Sequence, residues 1–248
     1  MNKMEARRRR GEFKEETMSS PLTHEELEAL RKWPTPAISN AIELFNIKPR
    51  NEGFMLSDIQ CRFPEMKPMI GYAATAVITA DSSEGRRVPA PEWWEMIRKT
   101  PEPRIAVLHD IDRPVVGSFW GEVNANIHKA LGCVGTVTDG SVRDLDEVQE
   151  LGFHFFSSCV TVSHAYVHTL EIGVPVKIGG LWVKPGDLLM GDKHGVISIP
   201  PEIARDIPKA AQMMEDWERK VIDFCKSKQF SVEGLKERFL SPRPVWKK

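Results

Sequence analysis

No run of apolar residues in this chain approaches the roughly 20 needed to cross a bilayer. A membrane role is therefore not expected. No C-x-x-C pair occurs either. The four cysteines, Cys61, Cys133, Cys159 and Cys225, stand far apart, which argues against a zinc knuckle and for reduced thiols in a cytoplasmic protein. Charge of one sign is not in excess. The 34 Lys and Arg against 35 Asp and Glu leave a formal net charge of −1, too little field to favour nucleic acid or a membrane surface. No glycine-rich nucleotide loop joins a strand to a helix with an acidic residue on the next strand, so a methyltransferase reading has no support. No internal repeat is visible.

What is present suits one globular domain of 248 residues, 41% hydrophobic and 28% charged. Residues 1–20 are polar and aperiodic and include Arg7, Arg8, Arg9 and Arg10. They read as a flexible basic tail, with a nucleic-acid-binding arm as the other reading. A single domain over 21–240 follows, then a polar tail over 241–248.

Thr23 starts a first helix, Trp33-Pro34-Thr35-Pro36 breaks it, and Ser39 is positioned to cap a second one. Gly71 to Ala80 and Ile105 to Leu108 read as strands, with a polar loop over 81–100 in which Trp93 and Trp94 serve packing. Val115 to Trp120 is a strand or an extended loop. From Glu122 the period becomes helical, with Val123, Ile127, Ala130 and Leu131 on the inward face and Gly132 at the C-cap. A strand over 133–138, a helix from about Asp144 to Leu151 and a strand opened by Phe153 come next. Strands and helices thus alternate, which gives an α/β fold with a central sheet flanked by helices. Residues 174–199 read as a β-meander with a turn at Gly179-Gly180, and a C-terminal helix spans about 202–228.

The chemistry concentrates in GCVGTVTDGSVRD, residues 132–144. A β-branched strand ends at Asp139-Gly140 and then presents Arg143 beside Asp144, the place where open α/β sheets put ligands. Arg143 can fork onto a carboxylate and Asp144 can hold a hard cation. Gly121-Glu122 opens the preceding helix, where free amides favour an anion. Glu122, Asp139 and Asp144 supply three carboxylates around one arginine. The other reading of Arg143 and Asp144 is a surface ion pair with Asp144 as a helix cap.

The stretch GEVNANIHKALGCVGTVTDGSVRD resembles the RraA-like / 4-hydroxy-4-methyl-2-oxoglutarate aldolase family, whose pattern includes G-E followed by G-x-x-G-x-V-x-D-G-x-x-R-D. PVKIGGLWVKPGDLLMGDKHGVISIP and TPAISNAIELF are similar to two further segments of that family, and the likeness covers roughly residues 30–225. The resemblance implies a swivelling β/β/α fold, a homotrimer or homohexamer with sites between subunits, and a Mg2+- or Mn2+-dependent pyruvate aldolase that cleaves a 4-hydroxy-2-oxo acid and also decarboxylates oxaloacetate. It implies that the amides of Gly121, Glu122, Val123 and Asn124 meet the substrate carboxylate. Arg143 would stabilise the enolate, Asp144 would bind the metal, and Glu122 would act through a water. A carboxylate from a neighbour's C-terminal helix would complete the site, with Glu218 favoured over Glu215. His164 and His168, spaced for a shared helical face, are candidate substrate contacts, structural residues, or zinc ligands with His194. The rival reading is a non-catalytic regulator that binds ribonuclease E.

Overall fold

The computed structural model describes residues 20–247, so the arginine run at 7–10 lies outside the described residues. Helix α1 (His24–Arg31) begins as expected. The Thr23 hydroxyl accepts the Glu26 N–H at 3.3 Å, and the Glu26 carboxylate accepts the Thr23 N–H at 2.8 Å, a reciprocal cap. Helix α2 (Thr35–Glu43) starts four residues before the expected Ser39, which lies in its interior. Pro36 sits in the first turn, where its missing N–H costs nothing.

The cap of α2 comes from the far end of the chain. Asp192 accepts the Thr35 N–H at 2.7 Å and the Thr35 hydroxyl at 2.7 Å, and it also accepts the His194 N–H at 2.8 Å. Burial alone would raise this carboxyl's pKa; the hydrogen bonds from Thr35 and His194 outweigh burial and hold it below the ordinary carboxylate value. Asp192→Ala is expected to cost about 2 kcal/mol, because it leaves buried donors unpaired. A depressed folded pKa stabilises the protein above the unfolded value of 3.8, and that contribution is lost as the pH falls through the folded value. Thermal melts from pH 3 to 7 should therefore show a steep acid limb that is flattened in the variant.

Strands β1 (Gln60–Cys61) and β2 (Met69–Thr79) are followed by helix α3 (Ala90–Lys99), where the sequence reads as polar loop. Its buried face is carried by Trp93 and Ile97, four apart, while Pro91, four charged residues and the off-face Trp94 and Met96 obscure the period. Then come β3 (Arg104–Asp110), β4 (Ser118–Trp120), α4 (Glu122–Ala130), β5 (Cys133–Thr138), β6 (Ser141–Val142), α5 (Leu145–Leu151), β7 (His154–Ser157) and β8 (Cys159–Val160). The main sheet runs β7-β5-β3-β2 in parallel, with β1 antiparallel on the β7 edge. Each of β3, β5 and β7 continues into a short strand of a second parallel sheet, β4-β6-β8, and α4 and α5 follow the first two of those strands. The repeating unit is thus strand, strand, helix, the expected β/β/α arrangement.

The chain returns through β9 (His168–Ile172), β10 (Val176–Ile178), β11 (Leu181–Val183), β12 (Leu188–Asp192) and β13 (Gly195–Ile199). These are not one meander. The pair β10-β11 turns at Gly179-Gly180, both at positive φ, and forms its own ribbon. The pair β12-β13 joins the main sheet, where β12 and β9 share one edge of the eleven-residue β2. Helix α6 (Ile207–Lys226) starts later than expected, with Pro208 in its first turn, and a further helix that the sequence reading did not assign, α7 (Val232–Phe239), lies between it and the expected polar tail.

Three apolar clusters fill the layers. One joins α1, α2 and α6 to β12 and β13, a second lies under α3, α4 and α5, and a third is held between the main sheet and the β10-β11 ribbon. The inward face of α4 differs from the expectation: Ala125 and His128 are buried, whereas Val123 is 74% exposed. A histidine on the buried side and a valine on the open side reverse the hydrophobic period. Among the described residues no helix is long and apolar enough to cross a membrane.

Candidate functional site

Strand β4 delivers Gly121 to the N-cap of α4, and neighbouring β6 delivers Arg143 and Asp144 beside it. The Arg143 N–H donates to the Trp120 carbonyl at 3.0 Å, which locks the two strand ends together. Asp144 adopts a left-handed conformation, φ +55°, and N-caps α5 by backbone only. Its side chain turns to the other helix, where Oδ2 accepts the Glu122 N–H at 2.9 Å. The helix cap is therefore crossed: the Asp144 backbone caps α5, while its side chain caps α4.

That contact assigns the amides. The Glu122 N–H is already held by Asp144. The first bond within the helix runs from the Ala125 N–H to the Gly121 carbonyl at 2.9 Å, so the Val123 and Asn124 N–H groups precede it and are the amides an incoming anion can meet. The Arg143 guanidinium lies beside Gly121, 3.8 Å from Asp144 Oδ2 and 3.4 Å from the Val162 carbonyl. Both side chains are about one-third exposed, 35% and 36%. A Cβ on residue 121 would lie 2.5 Å from Asp144 Oδ2 and 3.1 Å from Arg143 Nε, so glycine is required for this close approach.

Asp139 does not belong to this group. Its carboxylate accepts the Asp110 N–H at 2.8 Å, meets His109 Nδ1 at 2.8 Å and takes Arg113 Nη2 at 2.6 Å. It ties the ends of β3 and β5 together, and its arginine is Arg113. Sequence reasoning did not assign the buried carboxyl of Asp110 beneath it. Burial, reinforced by the charges of Asp112 and Asp139 and opposed by the Asp112 N–H and Arg113, pushes Asp110 up to about 6. The signal was His109-Asp110-Ile111-Asp112 at a strand end.

His164 and His168 do not share a helix face. His168 is the first residue of β9, opposite Thr79, and is buried, with Nδ1 2.9 Å from the Tyr166 carbonyl. His164 is exposed in the loop before β9, in the segment whose Val162 carbonyl meets Arg143. His194 lies in the β12-β13 turn against Asp192. Glu218 accepts from Asn40 at 3.1 Å in an open groove between α2 and α6, which Glu215 also lines. That groove borders the α1-α2-α6 cluster, away from α4 and β6.

Among the described residues no three His, Cys, Asp or Glu side chains converge on one point as a metal cage. The donor set at Asp144 is a single carboxylate, oriented by a backbone amide and open to solvent. It fits a hard divalent cation that fills its remaining positions with water and ligand oxygens, and it does not fit zinc.

A family model described as RraA-like, Aldolase/RraA, matches residues 35–198. The chain belongs to the RraA-like family. A relative from Halalkalibacterium halodurans, named provisionally as a 4-hydroxy-4-methyl-2-oxoglutarate aldolase, is 35% identical over 92 residues, which cover 37% of this chain and 42% of that one. The RraA-like chain spans about half or less of the length of the curated relatives it matches. Among solved structures, a protein from Pseudomonas syringae pv. tomato aligns with TM-score 0.69 at 24% identity, over 90% of this chain and 96% of that one. RraAS2 of Streptomyces coelicolor, described as an unusual member of the RNase ES inhibitor RraA family, aligns with TM-score 0.63 at 20% identity, over 84% of this chain and 100% of that one. These two likenesses establish the fold.

Proposed function

We propose that this RraA-like protein is a divalent-metal-dependent pyruvate aldolase, which cleaves a 4-hydroxy-2-oxo acid to pyruvate and a carbonyl compound and also decarboxylates oxaloacetate. The observation that carries the reading is the packing of Arg143 and Asp144 against the glycine-led first turn of α4. The name of the Halalkalibacterium halodurans relative supports it.

In this reading the Val123 and Asn124 amides and the positive end of α4 hold the substrate carboxylate. Arg143 places a fixed guanidinium where the enolate oxygen gains charge, so no solvent has to reorganise as the C–C bond breaks. Asp144 would hold Mg2+ or Mn2+, which when bound supplies Lewis acidity toward the keto oxygen. Glu122, exposed in the first turn of α4, takes the proton of the aldol hydroxyl, directly or through water. Glu218 of a second copy closes the far side of the site in a homotrimer or homohexamer. His164 lines the mouth.

The test is pyruvate release, followed with a coupled lactate dehydrogenase assay. Oxaloacetate and at least one 4-hydroxy-2-oxo acid are expected to be turned over with Mg2+ or Mn2+. Chelation with EDTA should remove the activity and readdition of metal should restore it. Turnover that persists in fully chelated protein would reject the mechanism. A non-catalytic regulator would give no metal-dependent turnover of any 2-oxo acid.

A further inference from the structure

The first turn of a helix ordinarily frays, because its amides have no partners within the helix. Here it is tethered from below. Asn124 Nδ2 donates to the Phe119 carbonyl at 2.5 Å. His128, one turn on, lies 2.6 Å through Nδ1 from the Asn124 carbonyl. Its other nitrogen, Nε2, accepts the Trp93 indole N–H at 2.8 Å. An indole only donates and a carbonyl only accepts, so these two partners impose one state: neutral imidazole, proton on Nδ1. Both side chains are buried, His128 at 0% exposure and Trp93 at 1%. The imidazole also packs edge-on against Trp120, 4.6 Å between centroids, and Trp120 is the residue whose carbonyl receives the Arg143 N–H.

We propose that Trp93 and His128 are positioning residues for the anion-binding turn of α4: the indole fixes the imidazole tautomer, and the imidazole holds the Asn124 carbonyl, so that the Val123 and Asn124 amides keep their aim. Helix α3 is thereby a buttress of the site and not merely a packing element. The inference rests on the aldolase reading of that turn.

Tautomer control is the core of the argument. Without the indole donor, the imidazole gains by moving its proton to Nε2 and seeking another acceptor. Its Nδ1 lone pair then faces the Asn124 carbonyl oxygen and repels it. A charged imidazole is no alternative, because burial, opposed by the Asn124 carbonyl, drives the His128 pKa down to about 4.

The test uses full-length protein and oxalate, a dead-end mimic of the pyruvate enolate, in the presence of Mg2+. Trp93→Phe keeps the ring and deletes the donor, and His128→Leu deletes both polar ends. Each is expected to weaken magnesium-oxalate binding by calorimetry about tenfold, the scale of one buried hydrogen bond. His128→Gln has one donor and one acceptor and should restore affinity to within about threefold of wild type, since both bonds can re-form. In wild-type protein the Trp93 indole N–H resonance should shift when oxalate is added. A merely structural role would lower the melting temperature of the variants, leave oxalate affinity below that temperature unchanged and give no ligand-linked indole shift. Wild-type binding with undiminished affinity in Trp93→Phe overturns this proposal and spares the aldolase reading. A wild-type protein that fails to bind magnesium oxalate at all overturns both.

Discussion

Arg143→Ala is expected to lower metal-dependent pyruvate release by about 10²- to 10³-fold, the loss seen when one preorganised donor to a developing oxyanion is removed. The effect should fall on kcat more than on KM, since the guanidinium matters most where charge develops in the transition state. The fold should survive. The side chain is one-third exposed, and its polar contacts within the chain are long, 3.4 Å to the Val162 carbonyl and 3.8 Å to Asp144. The bond that matters to architecture, from the Arg143 N–H to the Trp120 carbonyl, belongs to the backbone and remains. An exposed substitution of this kind costs within about 0.5 kcal/mol, so the melting temperature should move by about 2 °C or less. Steady-state kinetics beside a thermal melt decides the point. Unchanged turnover in a folded variant would remove Arg143 from the site.

Gly121→Ala is expected to be nearly as damaging, for a different reason. Residue 121 is extended, φ −161° and ψ −169°, a conformation alanine adopts without strain. The obstacle is steric: a methyl group there meets Asp144 Oδ2 at 2.5 Å and Arg143 Nε at 3.1 Å, so the Asp144 carboxylate must move and Arg143 must give by a few tenths of an ångström. Asp144 then loses the Glu122 N–H and its oriented carboxylate, and a displacement of about 1 Å at a reacting centre can cost 10²-fold. Loss of magnesium affinity in calorimetry, together with lost turnover and a retained circular dichroism spectrum, is the expected signature. A variant that binds metal and turns over like wild type would show that the close approach has no role in catalysis.

The elements with strong local signals were legible in advance. The Thr23 cap, the β-branched strand over Cys133–Thr138 and the Gly179-Gly180 turn depend on residues next to one another in the chain, and each stands where its residues indicate. The elements that were missed depend on partners far away. Helix α2 was expected, but its start was not: it is capped by Asp192, 157 residues distant, and not by Ser39. Trp93 reads as a packing residue and His128 carries no signal of its own; 35 positions apart, they become a hydrogen-bonded pair only when α3 lies against α4. The pairing of His164 with His168 came from their spacing, and the strand that begins at His168 removes it.

Order along the chain determined which chemical groups this protein has available: one strand ends in a guanidinium and a carboxylate, and one helix opens on glycine. Tertiary structure decided which of them meet. The strand-strand-helix repeat sets β4 beside β6, and this turns Asp144 onto the amide of Glu122 while Asp139 is drawn away to Arg113 and His109. Hydrogen bonds and charges act over a few ångströms, so a carboxylate's role is set by what folding brings within that reach, and sequence distance does not encode it.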